Sequence, residues 1–523
     1  MVLSACEPNR FVTGWIPYWD AADGQDTLAD DDQAALLGEV SLMWHEAADS
    51  GNGAITTLTN TNLVATVAAI RASGLPVIPA IIDGNDSSDK GHMLTTLGDV
   101  NKRNAHVQMI VDLVMNNGYD GIDIDYESFP FMDGLSSYSP THSPNWVAFI
   151  SSLGSALHSR GKLLSVTVPA AWVVPASASC WAPTGVGTKT CGYTFYAQDQ
   201  IAPHVDRLRL MAYDWSTSTP GPIAPMSWDN AVIAYSDSRV PNSRLQLGVP
   251  AYGRHWRTQA VVNEICPDGS LFTESIAIEQ SVALFADILG DTGLQPTRDA
   301  SGELKVTWTE QVTGPRTKPI TPPVFPPPST TIDDIHDPLD DDALQPAQRL
   351  GVPPPIVTCT VRHTVFMPDA ESIRQRAQAA IDAGWSGIAI WALGYQIPAV
   401  FDTLAGVAPQ RPNGAPGGLL DPVADGVASL RVTGWALHPE FDLPVATRLT
   451  ITPTSGGAPV PTRTVTARID RAGMPTGVGP FHGFDETYLL APGTYDVCVT
   501  VVLAGGVDGP SLGCDSATVT APP

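Results

Sequence analysis

The chain has 523 residues with 54 acidic and 28 basic side chains, a formal charge of -26, and 43% hydrophobic content. That length exceeds one ordinary core and that composition excludes wholesale disorder, so two or more packed domains are expected. The acidity excludes nucleic acid and anionic membrane surfaces as natural partners, because both need a basic footprint; a neutral polymer suits it better, and the plainer reading is that acidity keeps a secreted protein soluble.

In chain order, residues 1–10 carry the sequence LSAC, Leu3 to Cys6. This resembles the lipobox of bacterial lipoproteins, which makes Cys6 a lipidation candidate. Only Met1 and Val2 stand before it, so this reading implies a start further upstream. No apolar run is long enough to span a bilayer. The other six of the seven cysteines fall in the order Cys180 with Cys191, Cys266 with Cys359, and Cys498 with Cys514. Their order implies three disulfides and an oxidising compartment, either secreted or at a bacterial cell envelope. The alternative is free buried thiols.

From 11 to 408, short apolar runs alternate with helix-like stretches. The runs lie at 11–19, 39–44, 75–83, 119–127, 163–172, 205–215, 244–253 and 385–394. Amphipathic segments such as TNTNLVATVAAIRASG and NKRNAHVQMIVDLVMNNG separate them and close on a glycine suited to a helix C-cap. Strand and helix repeated eight times predict an α/β fold, a closed TIM (β/α)8 barrel with parallel pairing.

The last interval is too long for one helix, so a small α+β insertion is expected at about 257–367, between strands seven and eight. Within it GELKVTWTEQV and IVTCTVRHTVF read as paired strands, with the Cys266–Cys359 bridge at their edge. Its acidic, proline-rich stretch TPPVFPPPSTTIDDIHDPLDDD reads as a solvated loop rather than a calcium site, since EF-hand spacing is missing. PQRPNGAPGG, at 409–418, is a linker by composition. Short strand-like runs over 419–523 then predict a β-sandwich, with Trp435 expected in its core.

The chemistry concentrates in DGIDIDYE, residues 120–127. Side chains alternate along a strand, so Asp123, Asp125 and Glu127 share one face while Ile122, Ile124 and Tyr126 share the other. In a barrel the apolar set faces the helices. The carboxylates then line the interior and climb toward the C-terminal mouth. Crowded and buried, they cannot all ionise cheaply, and at least one keeps a proton near neutrality. Glu127, last and most exposed of the three, is the natural general acid. A solvated strand face or a metal cage is the bland alternative.

DGIDIDYE resembles the DGxDxDxE signature of glycoside hydrolase family 18, the chitinase-like enzymes. LMAYDW resembles the family's sixth-strand MxYD and supplies Met211, Tyr213 and Asp214. LGVPAYGRHW resembles its seventh strand, GIAIWALG carries Trp391 where the family has a tryptophan under the sugar, and GWIPYW, which resembles the first strand, places Trp15 there as a further sugar-binding candidate. The resemblance covers roughly 11–405. It implies cleavage in which Glu127 protonates the glycosidic oxygen and the sugar's own acetamido carbonyl attacks the anomeric carbon, the substrate-assisted exception to the two-carboxylate rule. It further implies that Asp125 orients the acetamido group, Asp123 adjusts the proton on Asp125, Tyr213 donates to the acetamido oxygen, and Asp214 helps to bind it. Tyr18, Trp19 and Trp172 could extend the floor, though core packing is the commoner fate of each. PAIIDGND stands where the family's third strand often ends in SxGG, so the resemblance assigns no part to Asp83.

The implied activity is retaining cleavage of β-1,4 linkages beside N-acetylglucosamine, in chitin, chitooligosaccharides or peptidoglycan. No cofactor and no metal are expected, since no His/Cys ligand spacing or phosphate loop is present. The expected partner is an N-acetylglucosamine polysaccharide, bound by a monomer. A non-catalytic glycan-binding envelope protein on the same barrel is the competing class; such members usually lack the acid that Glu127 supplies here.

Overall fold

The computed structural model describes residues 7–8, 11–47, 53–58, 63–84, 90–176, 179–180, 189–278, 284, 293–316, 354–408, 410–411, 416–438, 443–457, 459–471, 481–503 and 507–522. Eight parallel strands close into a barrel: β1 Val12–Pro17, β2 Leu37–Ala47, β3 Ala80–Asp83, β4 Gly121–Asp125, β5 Leu163–Pro169, β6 Arg207–Met211, β7 Leu245–Pro250 and β8 Gly387–Trp391. Each strand pairs with its neighbour in sequence, and β1 pairs with both β8 and β2, so no barrel edge is left open. A short strand, Ile55–Thr57, adds antiparallel to the far end of β2.

The strands form where continuous apolar runs can be buried on both faces, and the helices form where the period changes to 3.6. Val100–Asn117 is bounded by Asp99, which accepts from the Asn101 and Lys102 amides, and by Gly118 in the left-handed region at φ 63°. β3 is shorter than the run from 75 to 83 predicts. Pro76 and Pro79 lack the N–H a ladder needs, and only an isolated bridge from Val77 to Val40 precedes Ala80. Ile122, Ile124 and Tyr126 lie at 0% exposure among the helices, as strand alternation requires.

The insertion is an antiparallel sheet of five strands in the order Phe272–Ala277, Tyr252–Gln259, Ile356–Met367, Leu304–Pro315 and Thr297–Arg298. It begins at Tyr252, ahead of the expected boundary near 257. Cys266 is bonded to Cys359 at its edge, as expected. Buried Glu303 fastens the sheet to the barrel: it accepts from the Ile223 and Ala224 amides at 2.8 and 2.7 Å and from Arg376 at 3.0 Å. The acidic, proline-rich stretch from 321 to 342 lies outside the described residues, as does Cys6.

After β8, Gln410–Arg411 pairs antiparallel with Glu7–Pro8, and Gly417–Leu420 is already a strand, so the stretch predicted as a linker is structured at both ends. Two sheets of five strands follow, stacked over Leu430, Val432, Leu449, Val497 and Val499. Cys498 and Cys514 sit opposite each other on adjacent strands and are bonded. Trp435 departs from expectation. It shares strand parity with Arg431 and Thr433, opposite to Leu430 and Val432, and so lies half-buried on the outer face of its sheet. The sandwich meets the barrel where the strands begin, through Arg468 on Asp206 at 2.7 Å and Thr466 near the His158 carbonyl. Among the described residues, no helix is long and apolar enough to cross a membrane.

Candidate active site

β4 delivers the carboxylates to the axis. Asp123 is paired in register with Ala80 and Asp125 with Ile82, which sets all four residues on the inner face. Asp123, at 0% exposure, is surrounded by donors: Trp15 Nε1 at 3.0 Å, Thr167 Oγ1 at 3.0 Å from both oxygens, and Arg209 Nη1 at 3.0 Å. Arg209 is equally buried and also binds Ser41, Gln246 and Glu39. These partners fix the position of the Asp123 side chain.

Asp125 is different. It is 4% exposed, and its Oδ1 has no hydrogen-bond partner. Burial first, then the charges of Glu127, Asp123 and Asp83, push its carboxyl well above the ordinary range, with Arg209 opposing. Glu127 follows at the strand end, half-buried. Burial, then the charges of Asp83 and Asp214, push it up to about 8, so at neutral pH it holds a proton that it can give away.

β6 faces these groups. Burial and then the charges of Asp125, Glu127, Asp214 and Asp123 raise the Tyr213 hydroxyl well above its usual value and keep it a donor. The glycine at 248 in β7 makes room for it, since a Cβ there would stand 3.0 Å from Tyr213 Cε1. Asp214, in the left-handed region at φ 62°, accepts from Tyr252 at 2.5 Å and from Arg254 Nη2 at 2.8 Å. Met211 ends β6, half-buried beside Pro169 of β5.

The aromatic residues divide in two. Trp391 ends β8 half-buried, with its ring 6.2 Å from Trp19, which is 41% exposed and donates to the Tyr395 hydroxyl. Tyr18 packs edge-on against Trp19 at 4.8 Å. Trp15 corrects the expectation of sugar contact: it is 1% exposed and directs its indole N–H to Asp123, beneath the floor rather than on it. Trp172 is core, packed on Trp215 and Trp228 and donating to the Cys180 carbonyl beside the Cys180–Cys191 bond.

Three residues at or beside the site were not singled out from sequence, Arg209, Thr167 and Arg254, and Asp83 was named there without a part. Arg209 left a signal, a cation at an inward position of the apolar strand RLRLM. Among the described residues, no group of three or more His, Cys, Asp or Glu is arranged to hold a metal ion.

A closed eight-stranded parallel barrel with a rising row of carboxylates on its fourth strand defines a glycosidase-type barrel. The family profile of glycosyl hydrolases family 18 matches residues 41–396, and the chain belongs to that family. YdhD of Bacillus subtilis (strain 168), named as a sporulation-specific glycosylase, is 27% identical over 227 residues, 43% of this chain and 48% of that protein. Chitotriosidase-1 of Mus musculus is 30% identical over 176 residues, 29% of this chain and 33% of that one. The chain thus matches about half or less of the length of these relatives. A chitinase of Chromobacterium violaceum superposes with a TM-score of 0.53 at 19% identity, covering 76% of this chain and 99% of that one, a likeness of fold.

Proposed function

We propose that this chain is a retaining glycoside hydrolase that cleaves β-1,4 linkages next to N-acetylglucosamine by substrate-assisted catalysis. One observation carries the reading: a single strand presents a saturated carboxylate, Asp123, then two carboxyls held protonated, Asp125 and Glu127, opposite a tyrosine hydroxyl.

Glu127 donates its proton to the glycosidic oxygen. As the bond to the leaving sugar breaks, the acetamido carbonyl of the sugar on the other side attacks the anomeric carbon and forms an oxazolinium ion. Asp125 accepts from the acetamido N–H and stabilises the developing positive charge as its own proton passes to Asp123, the next carboxylate down the strand. Asp123, held in place by Trp15, Thr167 and Arg209, adjusts that proton. Tyr213 donates to the acetamido oxygen, and Asp214, held by Arg254 and Tyr252, binds the same group. Glu127, now a carboxylate, takes a proton from the water that opens the oxazolinium ion, with net retention.

Trp391, Trp19 and Tyr18 form an aromatic floor that suits a polymer rather than a single sugar. We favour neutral chitin-type chains over anionic wall glycan because of the chain's charge of -26. One chain carries the whole set of residues, so a monomer suffices. Three disulfides support an oxidising, secreted or cell-envelope location. A lipid at Cys6, in the LSAC sequence, would anchor the chain at a bacterial envelope.

Turnover of a chitooligosaccharide by the wild type and by Glu127→Gln tests the reading. Loss of on the order of a hundredfold or more in kcat is expected. Equal, negligible turnover by both would favour a glycan-binding protein.

A further inference from the structure

Glu127 stands at the N-cap of the short helix Ser128–Met132, yet its side chain makes no capping hydrogen bond. Acidic side chains at that position ordinarily fold back onto the free amides of the first turn. Here those amides are already taken. Asp83 Oδ1 accepts from the Ser128 N–H at 2.9 Å and Oδ2 from the Phe129 N–H at 2.5 Å. Asp83 comes from β3, where Ala80 and Ile82 face the axis and Asp83 therefore lies on the helix side, 3% exposed, behind the turn that carries Glu127.

We propose that Asp83 is a positioning residue for proton donation: from behind the cleft, its buried carboxylate caps the turn after Glu127 and so leaves the Glu127 carboxyl free to point at the substrate. The inference rests on Glu127 being the proton donor. Without Asp83, the free Ser128 and Phe129 amides would draw the Glu127 carboxylate back onto its own helix, away from the cleft and into its ionised form.

Electrostatics work in the same direction. After burial, Asp83 is the leading charge that raises Glu127, ahead of Asp214. Asp83 is itself raised to about 7 by burial, against its bonds to the Ser128 and Phe129 amides. The other titratable and charged groups around the pair are Asp123, Asp125 and Tyr126 on β4 and its end, Glu46 on β2 in the row of Ile82, Arg209, Tyr213 and Asp214 from β6, Tyr193 and Tyr196 from the segment after β5, and Tyr252 and Arg254 from the insertion. Among the described residues, Asp83 alone both bonds the turn and carries a charge felt by Glu127. Its removal therefore lets Glu127 lose its proton at lower pH.

The test compares wild type, Asp83→Asn, Glu127→Gln and the double variant. Asp83→Asn is expected to lower kcat on the order of tenfold with little change in KM, and to move the alkaline limb of the kcat profile to lower pH. In the Glu127→Gln background the same change is expected to cost no further activity. A kcat profile of Asp83→Asn that overlays the wild type, whatever the change in thermal stability, overturns the proposal. Should Asp83→Asn not fold, Asp83→Ser, small enough for the site and able to accept one amide, carries the same test. The midpoint of a selectively 13C-labelled Glu127 carboxyl gives a readout that needs no turnover. It should fall in Asp83→Asn, and an unchanged midpoint overturns the proposal even if the protein proves to be no hydrolase, a failure that inactive wild type reports separately.

Discussion

Arg209 reaches across the barrel axis to Asp123, with Nη1 3.0 Å from Oδ2 and both side chains fully buried. The same guanidinium holds Glu39 from β2 and Gln246 from β7, so one cation ties β2, β4 and β7 to β6 in the layer beneath the catalytic carboxyls. Asp123's charge helps to raise Asp125, while that of Arg209 opposes it.

Replacing Arg209 by methionine therefore leaves buried Asp123 without its cation and Glu39 with only Arg207, 4.0 Å away. A loss of about 3 to 5 kcal/mol in urea unfolding is expected, typical of a buried ion pair broken from one side. Arg209→Lys, a single point charge, cannot serve Glu39, Ser41, Asp123 and Gln246 together and should recover only part of that loss. Stability equal to wild type in Arg209→Met would show the pair to be dispensable.

Gly248→Ala probes the room behind Tyr213. The added Cβ would lie 2.5 Å from the Leu210 carbonyl oxygen and 3.0 Å from Tyr213 Cε1, so either strand or ring must move. A stability loss of about 1 to 3 kcal/mol is expected from overpacking. The informative signal is kcat, which should fall on the order of tenfold because the hydroxyl that meets the acetamido oxygen is displaced. Thermal unfolding and steady-state kinetics on one preparation separate the two effects.

The contact between sandwich and barrel should depend on pH. Burial alone would raise the Asp206 carboxyl. The Arg468 charge, the His158 hydrogen bond and the Leu164 amide prevail and hold it well below the usual range. A carboxyl lowered in the folded state stabilises the protein above its unfolded value, about 3.9, and loses that contribution as the pH falls further. Arg468→Ala should thus cost most at pH 7, and its difference from wild type should narrow toward acid. Scanning calorimetry checks this. An equal difference at both pH values would contradict the assignment.

How far the sequence reaches is set by what each feature depends on. Barrel strands and the carboxylate face of β4 follow from periodicity along one segment, and both were legible in DGIDIDYE. Asp83 was not, because its role depends on the register that brings the end of β3 beside the turn after Glu127. Trp15 and Trp435 were misplaced for a related reason. A tryptophan reads the same whether it floors a cleft, donates to a carboxylate beneath it or lies on an outer sheet face, and only pairing decides. Arg209 could have been found, since an arginine between leucines in a barrel strand must have a buried acid to meet.

The stereochemistry of cleavage bears most directly on the central reading. A proton NMR time course of chitopentaose hydrolysis, followed before mutarotation, should show the β-anomer of the new reducing end forming first, as attack by the acetamido group and then by water requires. First appearance of the α-anomer would mean direct attack by water and would contradict the substrate-assisted account.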